Sequence, residues 1–213
     1  MALAALSGVA RETDGTIGAL TILELPDGRL LDLDVSGPHD GIPLVFHHGA
    51  PGSVSQERAM QRAAHNRGLR LVTFSRPGYG ASTRQPGRRV VDAVADVAPV
   101  LAHLGTPRCL VAGWSGGGPH ALATGARLRE QVAGVLCIAG LTPCDAEGLN
   151  VVEPVGQETS DETGRALRDP EANRPDREGH AAWLRRTDAA SLHGAVGDAA
   201  SRRRSPGSDD RVR

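Results

Sequence analysis

The segment Gly113-Trp114-Ser115-Gly116-Gly117 sets a hydroxyl between glycines two residues away on either side. A serine lifted out of a sheet on a sharp turn needs that spacing, because a side chain at either flanking position would collide with the turn. An apolar run over residues 108–113 precedes it, and a helical pattern from Gly116 to about Leu128 follows. The start of that helix aims free amides and the positive end of its dipole at the hydroxyl. The chemistry implied is acyl transfer, with Ser115 as nucleophile and the Gly116 N–H donating to the developing oxyanion. A second loop, His47-His48-Gly49-Ala50-Pro51-Gly52, also follows an apolar run and offers the Ala50 N–H as a second donor. Both segments have plainer readings: a glycine-rich turn, and an ordinary loop whose imidazoles hydrogen-bond only within it. The strand–turn–helix setting favours the catalytic reading.

These loops need a sheet to hold them. Leu20 to Leu25 and Leu30 to Val35 flank Pro26-Asp27-Gly28, which reads as an antiparallel hairpin. In its second arm Leu31, Leu33 and Val35 alternate with Asp32 and Asp34, as in a strand wet on one face. Beyond it strands and helices alternate. Strands are expected at 43–47, 69–74, 108–113 and 132–139, and helices at 53–67, 89–104 and 116–128. Gly68 suits the C-terminal cap of the first helix. Val90, Val94, Val97, Leu101 and Leu104 form one apolar stripe on the second, where Pro99 implies a kink or a late start. This pattern predicts an α/β fold with a mostly parallel, doubly wound sheet.

Composition narrows the chemistry further. The 213 residues are 39% hydrophobic and 23% charged, which fits one globular domain with a small cap. A formal net charge of −1 gives no electrostatic reason to expect a nucleic acid or an acidic membrane as partner. All 24 basic residues are arginine. Schiff-base, pyridoxal-phosphate, P-loop and Ser–Lys chemistries each need a lysine and are excluded for this chain acting alone. Cys109, Cys137 and Cys144 lack metal or dithiol spacing, and the first two, set in apolar runs, read as small buried hydrophobes. No apolar run reaches 18 residues and no basic flank precedes the start, so neither a membrane span nor a secretory signal is expected, and the cytoplasm is the default location.

Three segments occur in order: His48-Gly49-Ala50-Pro51, then Ser75 to Ser82 (SRPGYGAS), then Gly113 to His120 (GWSGGGPH). Together they resemble the α/β-hydrolase fold superfamily, most closely its serine esterase and peptidase-like branch, over roughly residues 18–145. The resemblance implies hydrolysis of a small ester- or amide-like substrate through an acyl-enzyme, with no cofactor or metal. It also implies that residues 75–82 shape the pocket rim, where Arg76 is expected as a structural ion-pair partner and not a catalyst.

The same resemblance places an acid and then a histidine on loops after later strands, and nothing beyond Ala139 reads as such a strand. Asp145 reads first as an N-cap, and His180 as a solvated residue at a helix start. His193 has less context, and His120 is expected to turn away from Ser115. The expected organisation is a lead over residues 1–17, a hydrolase core over 18–144, a helical cap segment over 145–198 and a disordered tail over 199–213. On this reading the chain is a truncated or frame-shifted product lacking the last strands, with weak or absent turnover. The alternative is a non-catalytic hydrolase-fold protein that binds a ligand or partner in the same pocket. A dinucleotide-binding domain fails, because no G-x-G-x-x-G follows the first strand. Substrate and oligomeric state are not legible.

Overall fold

Pro26, Asp27 and Gly28 close a tight turn in which Gly28 takes φ 81 and donates its N–H to Leu25 O at 2.9 Å. That turn joins β2 (Gly18–Glu24) to β3 (Leu30–Ser36) in the expected antiparallel hairpin. The computed structural model describes residues 9–11, 18–55, 58–143, 174–187 and 191. Within the assigned lead a further strand, β1 (Val9–Arg11), pairs antiparallel with β2. Three residues are too few to show a period, which is why patterning missed it.

Four strands then run parallel: β4 (Ile42–His47), β5 (Leu69–Phe74), β6 (Cys109–Trp114) and β7 (Val132–Ile138). The sheet order is β1-β2-β3-β5-β4-β6-β7, with β3 antiparallel to β5. β2 therefore points the same way as the parallel strands, and the sheet is mixed but mostly parallel. Side chains alternate across it and fill two apolar layers. Leu31, Leu33, Val45, Val72, Phe74 and Val111 lie with Val97, Val100 and Leu101 of α2 (Val94–His103) and Ala121 of α3 (Gly118–Arg127). Phe46, Leu71 and Ala112 lie with Ala64 and Met60 of α1 (Arg58–His65). Helices thus cover both faces, as a doubly wound sheet requires.

The helix limits carry local reasons. α1 is shorter than expected, and the chain leaves it through Gly68, whose φ of 66 favours glycine and whose N–H caps His65 O at 2.9 Å. α2 starts late, after a 3₁₀ turn over Val90–Ala93, and carries Pro99 inside it. α3 likewise follows a 3₁₀ turn, Ser115–Gly117.

Two expectations about burial are corrected. Asp32 is not on a wet face but is 2% exposed. The loop after β5 folds over it, and its carboxylate accepts from Ser75 N at 3.1 Å and Ala81 N at 2.9 Å. Its Oδ1 also lies 2.9 Å from the Ser82 hydroxyl. Cys109 is buried as expected, whereas Cys137 is exposed. It lies on β7, the last strand in the sheet order, where Val135, Leu136 and Ile138 are exposed as well.

A buried ion pair ties the hairpin to α2. Arg29 Nη2 lies 2.8 Å from Asp96 Oδ1, and Asp96 is fully buried with its Oδ2 unpartnered. Burial pushes the Asp96 carboxyl above its usual range, and the bond from Arg29 only partly offsets this. Removing the arginine would strand a buried charge, which costs about 3–5 kcal/mol, whereas an apolar replacement of both partners is often neutral. Arg29→Met is therefore expected to lower stability by about 3 kcal/mol at pH 7 in urea unfolding. Adding Asp96→Leu should recover most of the loss, and equal losses in the single and double variants would contradict the account.

Residues 143–213 form a separate unit. Most of its described part is α4 (Arg174–Arg186), which exposes Trp183. His180 lies in the middle of this helix and not at its start, because the helix begins six residues earlier than the sequence suggested. Most of the assigned cap segment, and the whole 199–213 tail, lie outside the described residues.

Candidate active site

β6 ends at Trp114, and the chain turns at once into the 3₁₀ turn that leads to α3. Ser115 takes φ 51 at this corner, a left-handed conformation costing a non-glycine residue about 1–2 kcal/mol. The flanking glycines are needed for space. A Cβ on Gly113 would stand 2.3 Å from Gly117 O, and one on Gly117 would stand 2.0 Å from His47 O. Gly117 itself has φ −81, so it supplies room and not conformational freedom. Ser115 is half-buried, and its Oγ makes no hydrogen bond with any described residue.

The loop after β4 faces this corner. A Cβ on Gly116 would lie 3.2 Å from Ala50 Cβ and 3.5 Å from Ala50 N. The two amides nominated from the sequence are therefore neighbours. The Ala50 N–H makes no hydrogen bond with any described residue, and the Ala50–Pro51 peptide is cis. Gly49 leaves space for the Trp114 ring, which would lie 2.9 Å from a Cβ there.

Three imidazoles surround the loop, and each is engaged. His48 Nδ1 lies 2.6 Å from Gly49 O, and its Nε2 accepts the Arg76 N–H at 3.1 Å. Nδ1 therefore carries the proton. His47 Nε2 lies 3.2 Å from the Thr124 hydroxyl, which donates to His120 O at 2.8 Å, so this imidazole donates through Nε2. His120 Nδ1 lies 2.9 Å from Gly116 O and its Nε2 is 3.4 Å from Arg88 Nη1. It is directed at the elbow's backbone and at Arg88, with no hydrogen bond to the Ser115 hydroxyl. Burial, reinforced by the Arg76 charge, lowers His48 and His120 to about 4 each. Burial also holds His47 well below its ordinary value, with the Arg76 charge adding to the effect.

Arg76 differs from expectation. It is 2% exposed and forms no ion pair among the described residues. Its Nη1 donates to His48 O and its Nη2 to Gly49 O at 3.0 Å, while Nε has no partner. The guanidinium lies 5.6 Å from the centroid of the Tyr79 ring, and burial lowers it to about 10. The sequence held no signal for this arrangement, since a buried arginine and a surface one look alike in a loop.

Asp145 and His193 lie outside the described residues, as does the side chain of His180. Among the described residues no group of three or more His, Cys, Asp or Glu side chains could hold a metal. None of the described helices is long and apolar enough to cross a membrane.

The geometry defines a class: an open, mostly parallel α/β sheet whose strand-to-helix corner raises a serine beside two neighbouring amides. The chain belongs to the α/β-hydrolase fold family, whose model matches residues 42–199. It is 35% identical over 106 residues to a proline iminopeptidase of Xanthomonas citri, covering 47% of this chain and 33% of that one. It is 33% identical over 109 residues to a bifunctional esterase/perhydrolase of Acinetobacter calcoaceticus, covering 50% and 40%. Among solved structures it resembles Cfl2 of Burkholderia cenocepacia, with a TM-score of 0.63 and 21% identity over 88% of this chain and 68% of that one. The chain spans 30% to 40% of the length of the curated relatives it matches.

Proposed function

We propose that this chain carries the acyl-transfer centre of a serine hydrolase acting on small ester- or amide-like substrates. Ser115 Oγ would attack the carbonyl carbon and expel the leaving alcohol or amine, which takes up the serine proton. Water would then release the carboxylic acid and restore the hydroxyl. The amides of Ala50 and Gly116 would bind the oxyanion at each tetrahedral stage. The observation that carries this reading is the strained Ser115 corner set against an Ala50 amide that bonds no described residue. The esterase and iminopeptidase names of the relatives point to the same bond types.

Turnover supported by the described residues alone would be slow. His47, His48 and His120 are each tied to other partners, so none of them serves Ser115 as a base. A serine hydrolase stripped of its base keeps roughly 10³-fold acceleration from its oxyanion hole and binding. A fluorophosphonate is expected to label the protein slowly and stoichiometrically at Ser115, and p-nitrophenyl acetate to be hydrolysed feebly. Ser115→Ala should abolish both. Undiminished labelling of that variant would remove Ser115 as nucleophile, and robust wild-type turnover lost in the variant would overturn the slow-turnover part alone. The engagement of all three imidazoles also favours a second reading, a pocket that binds ligands without reacting. Ligand binding with no labelling would select it.

A further inference from the structure

Resting on the oxyanion hole just proposed, we infer that Arg76 is a positioning residue for that hole: with His48 it clamps the Gly49–Ala50 peptide so that the Ala50 N–H faces Ser115. A trans peptide holds its C=O and N–H in opposite directions in one plane. Whatever fixes the Gly49 oxygen therefore also aims the Ala50 hydrogen. That oxygen receives two donors, His48 Nδ1–H at 2.6 Å and Arg76 Nη2 at 3.0 Å. Arg76 Nη1 takes the preceding carbonyl, His48 O, on the same side. The Arg76 N–H in turn bonds His48 Nε2 at 3.1 Å, which leaves the imidazole proton on Nδ1 where the clamp needs it.

Charge adds to geometry here. A buried guanidinium without a counter-ion is costly, and a loop that needed only tying could use a neutral amide. Among the described residues Arg76 has no carboxylate partner, so its charge falls on two peptide oxygens. Drawing electron density toward the Gly49 oxygen makes the Ala50 N–H a stronger donor, since linked hydrogen bonds polarise one another. Tyr79 sits beside both partners, with its ring centroid 5.1 Å from that of His48 and 5.6 Å from the guanidinium carbon, and keeps the clamp packed.

The test uses the full ¹⁵N-labelled chain and a fluorophosphonate, which forms a Ser115 O–P bond and releases fluoride and a proton. In the wild type the amide protons of both Ala50 and Gly116 should move downfield in the adduct. In Arg76→Lys, labelling should slow by about 10²-fold, and the Ala50 displacement should disappear while that of Gly116 persists. His48→Phe, which removes the other donor to the same oxygen, should show the same selective loss in weaker form. Wild-type labelling with both displacements retained in Arg76→Lys would overturn the inference. So would loss of both displacements together with a lowered unfolding midpoint, the mark of a merely structural residue. If Arg76→Lys does not fold, an unaltered Ala50 displacement in His48→Phe overturns it. If neither amide moves in the wild type, the oxyanion hole itself is wrong and the clamp falls with it.

Discussion

Between pH 7 and pH 4 the protein is expected to lose most of its stability, and histidines at the candidate site are the cause. His48 and His120 are buried and neutral, with values near 4 against 6.5 for an unconstrained imidazole. Below pH 6.5 the unfolded chain binds protons that the folded chain refuses, so stability falls as pH falls. The loss begins near 6.5 and is complete near 4, where the folded protein titrates too. A fall from 6.5 to about 4 corresponds to roughly 3 kcal/mol for each imidazole. His47, lowered by the same causes, adds in the same direction. Against a typical total of about 5–15 kcal/mol this is enough to unfold a domain. Asp96, whose carboxyl burial raises, works the other way. Urea midpoints at pH 7.5, 6, 5 and 4 should fall steadily. A flat series would show that these imidazoles do not stay neutral in the fold.

Gly117→Ala is expected to be the most damaging single methyl in the described chain. Its Cβ would meet His47 O at 2.0 Å and His48 O at 2.6 Å. These are backbone atoms at the end of β4 and cannot swing aside as the tip of a side chain can. Relief requires moving the strand end, the elbow or both, at about 3 kcal/mol or more, with Ser115 displaced. Gly68→Ala is the informative control. Its φ of 66 favours glycine, as that of Gly117 does not, and nothing lies within 4 Å of the new methyl, so only the backbone cost of about 1–2 kcal/mol applies. Thermal unfolding of both variants with fluorophosphonate labelling should show Gly117→Ala far less stable and unlabelled, and Gly68→Ala folded and labelled. Comparable losses would mean that steric room at the elbow is not what fixes its sequence.

What could be read from the residues was local. The limits of β5 follow from one apolar run, and the corner at Ser115 follows from two glycines whose collisions lie within a few residues or on the adjoining strand. What could not be read depends on partners far along the chain. Asp32 looks like the wet half of an alternating strand until residues 75–82 fold over it. Arg76 looks like an ion-pair arginine until two carbonyls from the loop after β4 arrive instead. Cys137 sits in a run as apolar as that of Cys109, and only its place at the end of the sheet order separates their fates. β1 became a strand by finding β2, not by any pattern of its own.

The carboxylate of Asp32 moors three points of a loop lying more than forty residues downstream, at Ser75, Ala81 and Ser82. The shape of this loop is therefore cast by a hairpin that leaves the ribosome well before the loop itself is made. Transplanting residues 75–82 onto another scaffold would carry the letters across and leave their shape behind.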